Sequence, residues 1–308
     1  MHRVATALGL QAIVALSACE SGRRPARTAQ LTEVRHHVVH TLTSIDGAIE
    51  LDGEGLLLWQ QASAKAILVE SEGEAAVGGL PEGAAVLGGG RKRGQAHLAV
   101  LRDGRLEAWA LDRTTRQLRL VGRMHAQDSV ATAAIVGDTW VAIGVDSAGR
   151  AILLRDSTDS GELVREAVLP SPEARTDARS LLIDGNKSWL EVSYRTWPCR
   201  IVRRDSSGQD TRVVGDRVGW GRLLEQEGPV ESWVCSRSLR TDRGRLTSVL
   251  SLRSDATMLM ATESARDTIV RIGAPFGLVR ELKGGKMVIA VRYLDRPELV
   301  WFDVRRSN

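Results

Sequence analysis

Residues 97–112 read HLAVLRDGRLEAWALD. Two apolar runs flank Asp103-Gly104, and Asp and Gly are the residues a tight turn favours. The segment is therefore a β-hairpin, and the fold depends on whether it stands alone. It does not. The same form, an apolar strand, a polar turn, a second strand and a charged stop, recurs at 56–73 (LLLWQQASAKAILVESEG), 140–156 (WVAIGVDSAGRAILLRD), 189–205 (WLEVSYRTWPCRIVRRD), 233–255 (WVCSRSLRTDRGRLTSVLSLRSD) and 287–305 (MVIAVRYLDRPELVWFDVR). Successive starts lie 41 to 54 residues apart. That is the spacing of propeller blades rather than of a helical solenoid.

A further short apolar run precedes each hairpin, starting at Gly47, Gly83, Thr132, Ser180, Arg222 and Leu278. Another follows five of them (EAAVGGL, QLRLVGRM, ELVREAVL, TRVVGD, then TMLMATES or DTIVRIG), giving four strands per unit. Period-2 alternation, Gly and Asp turns, and no long segment of period 3.6 all favour β structure. The sixth unit has only three strands before Asn308, while EVRHHVVHTLTS at 33–44 lacks a hairpin partner. If that strand completes the sixth unit, a ring closes. This arrangement resembles the clasp of six-bladed β-propellers of the NHL and TolB-like groups over residues 33–308. The expected fold is thus all-β, six four-stranded blades closed by an N-terminal strand. Closure of this kind leaves only short, protected edges.

The chain has 42 basic against 38 acidic residues, a formal +4 with the signs evenly mixed, which argues against a nucleic-acid partner. No internal stretch reaches the roughly 18 apolar residues of a transmembrane helix. The first segment has a different character. A basic start (His2, Arg3), an apolar stretch from Val4 to Leu16 and small residues before Cys19 have the layout of a secretory signal. Leu16-Ser17-Ala18-Cys19 resembles the lipobox of bacterial lipoproteins. The resemblance implies cleavage after a signal peptide at 1–18, lipidation of Cys19, and a polar tether at 19–32 ahead of the propeller at 33–308. The alternative is an ordinary signal peptide with an incidental cysteine. On the lipoprotein reading the chain is exported and held in the envelope by its lipid anchor, on the periplasmic face of an outer membrane or at the cell surface.

Two cysteines remain, Cys199 and Cys235, and in an exported protein such a pair is readily oxidised. A disulfide would staple adjacent units; two buried thiols are the other reading. The repeated Trp140, Trp189 and Trp233 are expected to pack between units rather than form a ligand platform. Of His36, His37 and His40, alternation along a strand puts the first and last on one face and His37 on the other, and no metal site is expected of them. There is no G-x-S-x-G elbow, and no catalytic set or cofactor is assigned.

Turns between second and third strands should gather on one face. They carry Arg102 and Asp103, Asp146, Arg195 with Trp197, Arg240 with Arg243, and Arg296. Arg195, Trp197, Arg240, Arg243 and Arg296 are the candidate ligand residues, for an anionic or sugar-like molecule or a protein partner. The alternative is solvated turns. Arg91-Lys92-Arg93 falls on the opposite face, suited to anionic lipid or to simple solvation. The leading functional expectation is a non-catalytic binding platform. The competing one is a propeller hydrolase, lactonase-like, or a dehydrogenase with its site at the mouth of the central channel.

Overall fold

A sheet of alternating strands needs a partner for each apolar face, so four-stranded units of this composition must stack against one another. The computed structural model shows that stacking. It describes the backbone of residues 30–156 apart from 54 and 62, of 160–169, and of the strands between 181 and 305; side chains are described over 34–169 within those limits and over 296–301. The elements among the described residues are all strands.

The N-terminal strand β1 is Gln30–Val38. The first sheet takes β2 (Gly47–Glu50), β3 (Leu56–Gln60), β4 (Lys65–Glu70) and β5 (Gly73–Val77) in chain order. A second meander is β6 (Ala85–Lys92), β7 (Gln95–Arg102), β8 (Arg105–Asp112) and β9 (Gln117–Ala126), and a third is β10 (Ser129–Val136), β11 (Thr139–Val145), β12 (Ala151–Asp156) and β13 (Glu162–Val168). Next come β14 (Leu181–Gly185), β15 (Trp189–Tyr194), β16 (Arg200–Asp205) and β17 (Asp210–Val214). The following sheet is β18 (Trp233–Thr241), β19 (Gly244–Ser251), β20 (Met258–Thr262) and β21 (Ile269–Ile272). In the last sheet β22 (Leu278–Glu281), β23 (Lys286–Tyr293) and β24 (Arg296–Arg305) are joined by β1, which lies antiparallel to β24 with His36 opposite Val300.

The second and third meanders fuse. β6 pairs β10 in parallel through Gly88 opposite Ala133 and Gly89 opposite Ala134, and β9 pairs β13 through His125 opposite Glu162, so β6 to β13 close into one eight-stranded sheet. Gly88 makes the inner contact possible. Its φ is +148°, and a Cβ there would stand 1.9 Å from the Ala133 carbonyl oxygen. First strands adjoin one another along the chain, β2 beside β6, β6 beside β10, β10 beside β14, β18 beside β22, and β22 again beside β2. The architecture is all-β and of the propeller type.

Its cores lie between sheets, as alternation requires. Leu98, Val100, Trp109 and Leu111 of the second meander pack on Leu57, Trp59 and Leu68 of the first sheet. The intervening Ala99 and Leu106 turn the other way, onto Ile135, Trp140 and Ile152 of the third. Leu299 and Trp301 of β24 pack on Val39, Leu42, Leu58, Ile67 and Val69 and so join the last sheet to the first. Each fully buried Leu or Ile contributes about 1.5–3 kcal/mol by leaving water. Outer strands are also tied end to start around the rim. Gly78 bonds both Arg116 and Leu118, 3.0 and 2.8 Å, and the His125 N–H donates to the Gly161 carbonyl at 2.7 Å. Buried Asp156 holds the second tie in place by accepting from the Ser160 and Gly161 N–H groups.

One unit departs from the sequence expectation. Alternation assigns a first strand to the run at Arg222 and places Trp233 and Cys235 on a second strand. Among the described strands β18 is the first of its sheet, followed by β19, Met258–Thr262 and Ile269–Ile272, while the Arg222 run lies outside the described residues.

Candidate functional site

The five candidate ligand residues are not brought to one place among the described residues. Arg195, Trp197 and Arg243 lie outside them, as do Cys19 and Cys199. Arg240 is on β18 opposite Arg245, next to the β18–β19 turn. Arg296 opens β24, and its Nη1 stands 2.9 Å from His40 Nδ1. Cys235 is on β18, opposite Val249.

On the face of the second-to-third turns, three acids of the first three units, Asp46, Asp146 and Glu107, are engaged. Asp46 Oδ2 accepts the Gln61 N–H at 2.7 Å and fixes the β3–β4 turn. In the β11–β12 turn Asp146 accepts the N–H groups of Ala148 (3.0 Å) and Arg150 (2.8 Å), and Arg150 Nε returns at 2.9 Å. The Arg150 backbone N–H above all, aided by its guanidinium, holds Asp146 below the usual carboxylate range. In the β7–β8 hairpin, Arg102 Nη2 donates to Glu107 Oε1 at 3.1 Å, and Trp109 Nε1 donates to the other oxygen at 3.1 Å. Glu107 is fully buried.

The basic stretch on the opposite face is structural as well. Arg91 grips Asp52 with both Nη atoms, 3.0 and 2.9 Å, which laces the second meander to the first sheet. The Arg93 N–H donates to Asp138 at 2.6 Å and reaches the third. Arg113 adds Glu70 and the Asp52 carbonyl.

Histidines collect where the last sheet meets the first. His36 Nε2 lies 2.7 Å from Glu298 Oε2. Because β1 ends at Val38, alternation no longer governs His40, and it approaches Glu74 together with His37 instead of facing away from it. The His40 N–H donates to Glu74 Oε2 at 3.0 Å, His37 Nε2 lies 3.6 Å from the same oxygen, and the Thr41 hydroxyl donates to Oε1. Burial pushes Glu74 up, but the Thr41 and His40 hydrogen bonds and the charges of His37 and His40 outweigh it and hold the carboxyl below its usual range. Arg35 stacks 4.5 Å above the Trp301 ring and donates to the Glu70 carbonyl. This is a closing seam. Among the described residues, no three His, Cys, Asp or Glu side chains are placed to hold a metal ion.

No protein-family model matches the chain, and no curated protein matches it. Its likenesses are structural. The PQQ-bound aldose sugar dehydrogenase of Streptomyces coelicolor superposes with a TM-score of 0.54 at 15% identity, covering 92% of this chain and 100% of that one. A chain of the mitotic checkpoint complex gives 0.53 at 10% identity, covering 94% and 100%. An oxidoreductase of Thermus thermophilus, described as a glucose dehydrogenase, gives 0.50 at 14% identity, covering 89% and 99%. At these identities the likeness establishes the fold.

Sequence reasoning passed over two residues that organise these sites, Glu107 and Glu74. For Glu107 a signal existed, a lone carboxylate inside the apolar run LEAWAL. Glu74 had none, because its partners stand 33 and more positions away.

Proposed function

We propose that this chain is an exported, lipid-anchored six-bladed propeller that binds a sugar-like molecule at the mouth of its central channel and oxidises it, as a dehydrogenase using PQQ. The observation that carries this reading is the end-to-end likeness to a PQQ-bound aldose sugar dehydrogenase, seconded by the glucose dehydrogenase of Thermus thermophilus. Six blades are supported by the six successive four-stranded units, by the contact of β22 with β2, and by β1 beside β24. Lipidation of Cys19, and with it the envelope location, rests on the Leu16-Ser17-Ala18-Cys19 segment. Replacing Cys19 by Ser and fractionating cells tests it, since full retention in the membrane sinks the anchor.

The quinone would need cations for its carboxylates and a base beside the substrate. Among the described residues of the second-to-third turns, Arg150 is spent on Asp146 and Glu107 is buried with both oxygens engaged, so neither is free to serve the quinone. The same engaged acids favour a second reading, a non-catalytic platform for a small ligand or a protein.

Purified protein supplied with PQQ and calcium should reduce a dye when aldoses are added and not without the quinone. Absence of quinone-dependent reduction across a panel of aldoses, in protein that still binds sugar or a partner, rejects the dehydrogenase and leaves the platform.

A further inference from the structure

The three histidines of the closing seam answer a proton differently. His36 Nε2 stands 2.7 Å from Glu298 Oε2, and His37 Nε2 stands 3.6 Å from Glu74 Oε2. A carboxylate accepts from an imidazole N–H whether the ring is neutral or charged, so both contacts survive protonation and gain from it. His40 is the exception. Its Nδ1 stands 2.9 Å from Nη1 of Arg296, the residue that opens β24. A guanidinium has only donors, so Nδ1 must keep its lone pair and the one ring hydrogen sits on Nε2. Only a neutral His40 makes this contact.

Protonation would set N–H against N–H and charge against charge. The other charged groups around the ring push the same way. Glu74 on β5 already accepts the His40 backbone N–H at 3.0 Å, and its carboxyl, held below the usual range, stays charged in mild acid. It attracts the new imidazolium. Glu298 on β24 is taken by His36, and Arg35 on β1 by the Glu70 carbonyl and the Trp301 ring. With the histidines neutral, Arg35 and Arg296 balance Glu74 and Glu298, and each protonated ring adds one positive charge to the seam. His40 and Arg296 are both exposed, so proton and solvent reach them.

We propose that His40 is a proton-operated catch on Arg296: neutral, it fastens the start of β24 to the chain that follows β1, and protonated, it lets the guanidinium go. Arg296 directly follows the turn between the second and third strands of the last sheet, so its release frees a cation on the side of those turns. An imidazole changes charge between about pH 5 and 8, which sets the window in which the catch works. The catch operates whether or not the chain oxidises a sugar.

A double-mutant cycle on the full chain tests it, with His40→Ala, Arg296→Ala and the double variant unfolded in urea beside the wild type at about pH 8 and about pH 5.5. His36, His37, Glu74 and Glu298 are common to all four proteins, so their own titration cancels. The coupling between His40 and Arg296 should favour the folded state about fivefold at the higher pH and vanish or reverse at the lower. Should a variant not fold, nitrogen chemical shifts of the wild-type ring decide: at the higher pH Nε2 should carry the hydrogen and Nδ1 none. Equal coupling at the two pH values, no coupling at the higher one, or a hydrogen on Nδ1 there overturns the proposal. Failure of dye reduction with the pH-dependent coupling intact counts against the dehydrogenase alone.

Discussion

Two buried polar side chains make opposite demands on their surroundings. His97, on β7, is 9% exposed and its Nδ1 is buried without a partner. Burial, helped by the charge of Lys92, holds its imidazole below the usual 6.5. The unfolded chain therefore takes up a proton that the folded chain refuses. Stability is full above the unfolded value, declines as pH falls below 6.5, and levels off once the folded histidine itself titrates. Denaturant midpoints at about pH 7.5 and about pH 5.5 should show this slope, and His97→Leu should flatten it; an unchanged slope places the titration elsewhere. Glu107 is buried and bonded to Arg102, so the two members of this pair should not be equivalent. Arg102→Met strands a buried carboxylate and should cost about 3 kcal/mol or more. Glu107→Gln leaves an arginine that can reach water and should cost less, about 1–2 kcal/mol. Urea unfolding at constant slope measures both, and equal losses would mean that Arg102 acts through packing alone.

At the scale of elements, local pattern places strands well and their partners less well. The hairpins of β3–β4, β7–β8, β11–β12, β15–β16 and β23–β24 stand where alternation and turn residues put them, because both signals are carried within one short segment. β18 shows the limit. Trp233 repeats the motif of Trp140 and Trp189, yet its strand is first among the described strands of its sheet where theirs are second, since the order depends on which later strands arrive to pair. The β6–β10 junction was also invisible. Gly88, Gly89 and Gly90 read as a turn signal, but they allow two backbones to meet. Gly88→Ala combines an unfavourable φ with a clash against Ala133 and should destabilise the protein by about 2 kcal/mol or more. Hydrogen exchange should locate the loss at the β6 and β10 amides, and protection unaltered there would disprove the junction.

For the whole molecule the decisive contact is the seam where β1 and the chain after it bind the first sheet. Glu74 is held below its usual range, so its contribution is present above about pH 4.5 and is lost as pH falls through its folded value. Glu74→Gln should therefore lower stability at neutral pH, with the difference from wild type shrinking on acidification; a pH-independent difference would assign the loss to packing. Removal of residues 1–38 takes away β1 and bares the edge of β24, a template for aggregation. Light scattering and the loss of a single cooperative transition should report it, and a monodisperse, cooperative truncated chain would show that the ring does not need its clasp.

By itself the sequence determined the strand-turn-strand unit, its spacing, the all-β class and the N-terminal strand set against the last sheet. These follow from alternation and turn chemistry, which act over a few residues. Only the tertiary structure decided that Arg91 answers Asp52, that Glu107 is buried between Arg102 and Trp109, that Glu74 gathers His37, His40 and Thr41, and that two meanders fuse through Gly88. Most of these contacts join residues tens of positions apart across neighbouring sheets. A charge in one short segment carries no mark of the sheet that will stand opposite it, because the packing of whole sheets sets that distance.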